Sequence, residues 1–196
     1  MMGTVRNLFA IIGVLAVLAG VVVSPYVWEV KNRFAEFDAK ALDTYVSMFR
    51  QVLETGNAAE ATVWRAQVNE SLSVDEVDET IKFVANEHNI KNVGELPLYK
   101  QVEAMSGKPY RFVKIYMFCN ALTAAQMLDY SDAFAAYLPC RLSLVEDKEG
   151  RLWIYTLNMD PMIYGGKPLP PDLKAEAIKV KEIMLDVLDR GAKGDF

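Results

Sequence analysis

Apolar positions form one long run near the N-terminus of the chain, followed by shorter periodic patterns. Residues 8–23 carry no polar side chain, and the apolar segment extends to Trp28, which makes twenty-one residues in total. A helix of this length is about 31 Å long, which matches the hydrocarbon core of a bilayer. Tyr26 and Trp28 would lie at the membrane interface, where aromatic side chains are enriched. Segment 1–28 is therefore predicted to be a transmembrane anchor.

Two other interpretations of this segment stay open. A cleavable signal peptide ends in small residues with an A-x-A-like pattern, whereas this run ends in Val-Val-Ser-Pro-Tyr at 22–26. A buried core helix is the second alternative. The flanking charges do not decide the orientation, because long domains are translocated largely regardless of charge counts. We expect a single span in a bacterial inner membrane, with the C-terminal part in the periplasm.

The segment that follows has the pattern of an amphipathic helix over 29–54. Its apolar stripe recurs at steps of three and four and consists of Val30, Phe34, Phe37, Ala41, Tyr45, Met48 and Val52. Leu42, Phe49 and Leu53 widen this stripe, and Gly56 is expected to end the helix. Segment 29–57 is predicted to be a stalk, which packs either on its own domain or on another chain. Phe34, Phe37, Tyr45 and Met48 are the candidate partner-facing residues.

Segment 58–196 has the alternating pattern of a small α+β domain. Strands are predicted over 61–68, 110–118, 141–146 and 152–158, the last two joined as a hairpin. Helices are predicted after the capping box Ser73/Glu76, over 121–128, over 132–137, and from 170–172 to Gly191. Segments 89–109 and 161–171 are predicted to be mostly loop, with a helical turn over 98–105. The result is an antiparallel or mixed sheet with helices on one face.

Composition excludes several classes of protein. The chain has 26 acidic and 21 basic residues and a net charge of -5, which argues against a nucleic-acid binder. One histidine and two cysteines make a dedicated zinc or iron–sulfur site hard to build, so neither a metal nor a cofactor is expected. The sequence has no phosphate-binding glycine loop, serine nucleophile motif or zinc-protease helix. A non-enzymatic role is therefore favoured.

Two short motifs resemble a known family. A Cys-Asn-Ala step lies at 119–121, after a predicted strand, and a Leu-Pro-Cys step at 138–140 opens the next strand. Their order and spacing resemble the domain of unknown function 302 family over about residues 61–163, although Ala121 stands where the family usually has proline. The resemblance implies a curved antiparallel sheet like that of TATA-binding protein, and dimers among the small soluble members. It implies no catalytic mechanism.

The same motifs contain the candidate ligand or redox residues Cys119, Asn120, Cys140 and Arg141. Three alternatives stay open for the two cysteines: they are free thiols, they form a disulfide, or they act as a redox-active or ligand-binding pair. One straight helix between them would leave them at opposite ends of the sheet, whereas two short helices broken at 129–131 would bring the chain back. Arg141 beside Asn120 could receive an anion.

Sulfur atoms suggest a second kind of chemistry, which the sequence does not favour. Met117, Cys119, Met159 and Met162 lie near predicted strand ends, and thioethers suit copper(I). Methionines are more commonly core filler. His88, the single histidine, is expected to lie at the C-terminal end of a helix.

Two functional hypotheses follow. The preferred one is a membrane-anchored, outward-facing, non-catalytic binding domain, an accessory subunit of a bacterial membrane redox or energy-conversion complex. Its expected partners are the lipid bilayer and either another protein or a second copy that pairs through the sheet. The alternative is a small-molecule-binding or thiol-redox protein with its site near Cys119-Asn120 and Pro139-Cys140-Arg141.

Overall fold

The structure is a computed structural model that describes residues 2–196, excluding the side chains of residues 2–9, 11, 15 and 16. The helices of these residues are α1 (Met2–Phe34), α2 (Ala41–Thr55), α3 (Ala58–Ala61), α4 (Val74–Glu87), α5 (Leu98–Ser106), α6 (Ala121–Tyr130), a 3₁₀ helix (Asp132–Tyr137), α7 (Asp160–Tyr164) and α8 (Pro171–Lys193). The strands are β1 (Val63–Gln67), β2 (Lys91–Leu96), β3 (Val113–Cys119), β4 (Cys140–Glu146) and β5 (Leu152–Leu157).

The five strands form one sheet in the order β1-β5-β4-β3-β2, and every pairing is antiparallel. The predicted α+β class is therefore confirmed, and the sheet is antiparallel rather than mixed. The hairpin between β4 and β5 is confirmed too, with Gly150 at a φ of 82° in its turn. Only glycine adopts such an angle at little cost.

The core lies between one face of the sheet and the helices α4 and α8. The sheet contributes Tyr116, Phe118, Leu142, Leu144 and Ile154, all fully buried. Gly191 was expected to end the last helix, but α8 continues to Lys193 and ends at Gly194, with a φ of 77°. Gly191 instead permits close packing, since a Cβ there would lie 3.0 Å from Ile81 Cγ1 and 3.1 Å from Ile154 Cδ1.

Two elements lie where loops were predicted. Strand β2 has weak strand-forming residues, including Gly94, but it pairs with β3 at the edge of the sheet through a register shift at Asn92/Gly94. Pairing with an existing strand thus overrides local propensity. Helix α7 forms within the segment rich in glycine and proline, with Pro161 in its first turn, where proline is tolerated. The predicted helical turn over 98–105 is confirmed as α5.

The N-terminal helix α1 runs through Pro25. Its part Ile12–Phe34 is long and apolar enough to span a membrane, and none of the side chains that the structure describes in this part is buried against the rest of the protein. Tyr26 and Trp28 are exposed on it. The division into an anchor at 1–28, a stalk at 29–57 and a domain at 58–196 remains a prediction.

The predicted continuous helix over 29–54 is interrupted between Phe34 and Ala41. Asp38 explains the interruption, because its contacts hold the chain in a turn. Its backbone N–H donates to the carbonyl of Gly166 at 2.8 Å, and its carboxylate accepts from the N–H of Lys40 at 2.9 Å. The same buried carboxylate pairs with Lys174 of α8. This long-range contact has no signal in the local sequence.

Candidate functional site

The chain between the two cysteines folds back on itself. Helix α6 ends at Tyr130, and the 3₁₀ helix that follows returns the chain to the end of the sheet where β3 stopped. Ser131 marks the break and caps the second piece through a bond from the N–H of Ala133. As a result Cys140 lies opposite Phe118 in the register. Of the two chain paths considered for this segment, the structure has the one with a broken helix, and both cysteines are free thiols.

Asn120 and Arg141 have different positions from the cysteines. The side-chain oxygen of Asn120 accepts bonds from the N–H groups of Leu122 and Thr123 at 3.1 and 3.3 Å, which caps α6. Arg141 is exposed and belongs to the sheet face opposite Cys140, because successive side chains of a strand alternate. The structure thus brings Cys119, Asn120 and Cys140 to one place and directs Arg141 away from it.

A small cavity lies at this end of β3. Its volume is about 40 Å³, and five of its fifteen lining residues carry sulfur: Cys119, Met127, Cys140, Met159 and Met162. Sites for organic ligands typically measure about 300–1,000 Å³. The cavity is therefore far too small for such a ligand in this conformation, although it would hold a single ion.

The thiol of Cys140 is protonated at neutral pH. Burial, and after it the neighbouring Cys119, raises its pKa to about 11. Since the thiolate is the nucleophile, this cysteine is poorly suited to covalent or thiol-exchange chemistry. The pair is consequently a weak candidate for a redox centre.

A second cluster of ionisable groups lies further back along β3, between α4 and the strands. Asp78 accepts from Lys82 at 2.6 Å, and also from Lys114 and the Tyr116 hydroxyl. Glu95 of β2 binds Lys114 at 2.7 Å. The sequence offers only the Asp78/Lys82 spacing of four residues as a signal, because the other partners come from distant segments.

The charges of this cluster balance one another. Burial alone would raise the pKa of the Asp78 carboxyl, but the hydrogen bonds from Lys114, Lys82 and Tyr116 outweigh it and hold that pKa below its usual value. Burial and the bond to Asp78 raise the pKa of the Tyr116 phenol, so this group stays protonated. The pattern is that of a structural network, in which each charge already has a protein partner.

Helix α2 divides the predicted stalk stripe into two faces. The Tyr45 hydroxyl donates to the carbonyl of Gly165 at 2.6 Å, and Met48 is half-buried. These two candidate partner-facing residues therefore face the protein's own domain. Phe37 is also half-buried and packs its ring 5.0 Å from that of Phe34.

The other face of α2 carries the exposed apolar residues. Leu42, Val46, Phe49 and Leu53 form what we call the α2 stripe, with exposed fractions of 46% to 69%. Three of them were expected only to widen the buried stripe. Their spacing of four, three and four residues places them on one side of the helix.

No metal site built from conventional ligands is present among residues whose side chains are described. No three of their histidine, cysteine, aspartate and glutamate side chains are placed to hold an ion together. His88 lies at the C-terminal end of α4, as expected, and contacts Asp186 of α8 at 2.6 Å. The methionine-rich cavity wall uses different donor atoms.

An antiparallel five-stranded α+β domain with a preceding apolar helix is the class that the fold defines. The model of the family described as "Domain of unknown function DUF302" matches residues 64–191, and the chain belongs to this family. It is similar to the crystal structure of an uncharacterized conserved DUF302 protein from Bacillus stearothermophilus, with 18% identity and a TM-score of 0.54. That similarity covers 66% of this chain and 97% of the other. A comparison with curated proteins gives no match.

Proposed function

We propose that this chain is a membrane-anchored binding domain that faces the periplasm and has no catalytic activity of its own. Its role would be that of an accessory subunit in a bacterial membrane redox or energy-conversion complex. The observation that carries this proposal is the α2 stripe, four exposed apolar side chains on one helix next to an apolar N-terminal helix. Exposed apolar patches of this kind commonly mark interaction surfaces.

The position of the stripe supports a partner in the same membrane. Only residues 35–41 separate the end of α1 from Leu42. The salt bridge between Asp38 and Lys174 fixes this short connection to the domain, and Glu36 pairs with Lys167 at 2.6 Å. The stripe is thereby held close to the membrane end of the domain, where a membrane-embedded protein could reach it.

The geometry of the stripe also suits a protein groove. Apolar residues at helical steps of three and four are the anchors by which an amphipathic helix docks into a groove. From Leu42 to Leu53 the stripe extends about 17 Å along the helix. A binding role also agrees with the Asp78 network, whose ionisable groups are engaged with one another rather than with an open cleft.

Site-specific photo-crosslinking in native membranes tests this proposal. A photoreactive residue would replace Phe49 in the stripe, with Lys148 at the exposed β4–β5 turn as the control position. We expect position 49, and not position 148, to crosslink to one protein of defined mass. Adducts to lipid alone would make the stripe a bilayer contact, and adducts to a second copy alone would make it a homodimer surface. Either result would overturn the accessory-subunit proposal.

A further inference from the structure

We propose that the cavity at the C-terminal end of β3 binds a soft monovalent cation, copper(I), through the sulfur atoms of Cys140, Met159 and Met162. The site would be independent of the partner surface on α2. It requires only the residues that already surround the cavity.

The convergence of sulfur atoms is the first argument. The chain has two cysteines and nine methionines. Both cysteines and three of the methionines, Met127, Met159 and Met162, line one cavity of about 40 Å³. They come from β3, α6, β4 and the α7 region, so tertiary folding and not local sequence gathers them. An adjoining smaller cavity repeats Cys140, Met159 and Met162 and adds Met184.

The kind of ion follows from the ligand atoms. Thiolate and thioether sulfur select copper(I) over hard cations. Among the described residues that line the cavity there is no carboxylate and no imidazole, the ligands that zinc and magnesium ordinarily use. The hydroxyl of Thr123 donates to Glu176 at 3.3 Å, and the Asn120 oxygen caps α6. Both polar groups therefore have other partners.

Charge balance favours a monovalent ion in this apolar cavity. Burying an isolated charge is costly, whereas copper(I) bound to one thiolate forms a neutral unit. As the bond between copper and the Cys140 sulfur forms, the S–H bond breaks and its proton passes to solvent. Copper arrives and remains as copper(I), so no oxidant or reductant is needed. Because each bound ion releases a proton for each thiol deprotonated, affinity should rise with pH.

The structure also corrects which methionines belong to the set. Met117 was grouped with Cys119 from the sequence, but strand alternation places both on the sheet face opposite Cys140, and Met117 lies across from Gly94. A Cβ added to Gly94 would meet the Met117 methyl carbon at 2.7 Å. Met117 therefore packs against the edge strand β2, and Met127 of α6 takes a place in the cavity wall instead.

This difference supplies a matched control for the experiment. The full chain, reduced and in detergent without oxygen, is titrated with copper(I) in competition with a chromogenic copper(I) chelator. We expect one copper(I) per chain. Loss of a residue that only supports a metal ligand commonly weakens metal binding by about 10–100-fold. Since Met162 would be a ligand itself, we expect Met162→Leu to weaken binding by at least about tenfold. Met117→Leu should leave the affinity unchanged.

Further variants and a spectroscopic readout complete the test. Cys140→Ser should weaken binding more than Met162→Leu, with circular dichroism as the check that each variant folds. X-ray absorption should show sulfur ligands alone, and excess Zn²⁺ should not displace the copper. The proposal is overturned if the folded wild-type chain fails to hold copper(I) against the chelator. Equal losses in Met117→Leu and Met162→Leu, or a nitrogen or oxygen ligand shell, would also overturn it.

Discussion

The two ends of strand β3 use chemically reactive side chains in opposite ways. Near its start, Lys114 and Tyr116 both donate to the carboxylate of Asp78, and Lys114 also reaches Glu95. At its other end, Cys119 and Cys140 of the adjacent strand β4 line a cavity and remain free thiols. The ionisable groups around Asp78 are hydrogen-bonded to one another. The two cysteines offer sulfur atoms but form no disulfide.

The comparison shows why perturbed ionisable groups alone are weak indicators of function. The Asp78 cluster contains several shifted pKa values, yet burial and mutual pairing explain them all. Structural networks commonly produce such shifts. The surroundings of the thiols at the opposite end leave a space that a soft ion would fill. Ionisable groups that are paired with one another indicate a structural role. Ligand atoms that border an open cavity indicate a candidate binding site.

The largest effect on stability should come from disrupting the Asp78 cluster. Asp78→Ala would leave Lys114, whose side chain is 15% exposed, without one of its two carboxylates. Removing one member of a buried ion pair costs about 3 kcal/mol or more. Asp189→Ala is the matched control, since its helical pair with Lys193 has exposed fractions of 57% and 58% and exposed pairs contribute about 0–1 kcal/mol. Urea unfolding of both variants measures the difference, and equal losses would contradict the comparison.

Cys140, at the other end of β3, should show an effect of nearly the same size in its alkylation rate. The pKa of Cys140 rises from 9.0 to about 11 through burial and the adjacent Cys119. The thiolate fraction at neutral pH, and with it the alkylation rate, should then be about 100-fold lower than for an ordinary cysteine. Iodoacetamide labelling followed by mass spectrometry measures the rate in native and unfolded protein. Equal rates in the two states would show that the thiol is not protected.

Acid should reduce the stability that the Asp78 cluster contributes, by a smaller amount. The carboxyl pKa values of Asp78 and Glu95 both lie below their ordinary values of 3.8 and 4.5, because lysine bonds outweigh burial. A lowered folded-state pKa contributes stability above the unfolded value, and this stability is lost as pH falls through the folded value. The free energy of unfolding should therefore decline below about pH 4.5. Asp78→Asn should decline less steeply over the same range, and an identical slope would contradict this attribution.

Helix α2 has one side chain hydrogen-bonded to the domain, Tyr45, and one exposed to solvent, Phe49. Substitutions of these two should have the smallest effects on stability. Tyr45→Phe removes the bond to the Gly165 carbonyl and should cost about 1 kcal/mol. Phe49→Ser removes an exposed side chain and should change stability by less than about 0.5 kcal/mol. Thermal unfolding compares the two variants. A larger loss in Phe49→Ser would mean that the α2 stripe packs within the protein.

Local patterns predicted the parts of the fold that depend on neighbouring residues. The capping box at Ser73, the cap at Asn120 and the turn at Gly150 each work through bonds or angles within a few residues. Pairings over longer distances escaped prediction. Strand β2 exists because β3 pairs with it, and the break before α2 exists because Asp38 binds Lys174, which is 136 residues away.

The candidate site was predictable in the same limited way. The break at Ser131, one of the two chain paths considered, returns the chain to the end of β3. Which methionines line the cavity there depends on how distant segments pack on the sheet, so Met117 was included and Met127 was not. The two faces of α2 were also undecided in the sequence, because both are apolar and only contact with α7 distinguishes them.

We propose that this family member works as the anchored subunit of a larger membrane assembly. Mild-detergent extraction of the native membrane protein, followed by mass spectrometry of the intact assembly, tests this role most directly. We expect this chain in a fixed ratio with a different membrane protein, and loss of that protein in Phe49→Ser. Recovery of the wild-type chain only as a monomer or homodimer would contradict the proposed role.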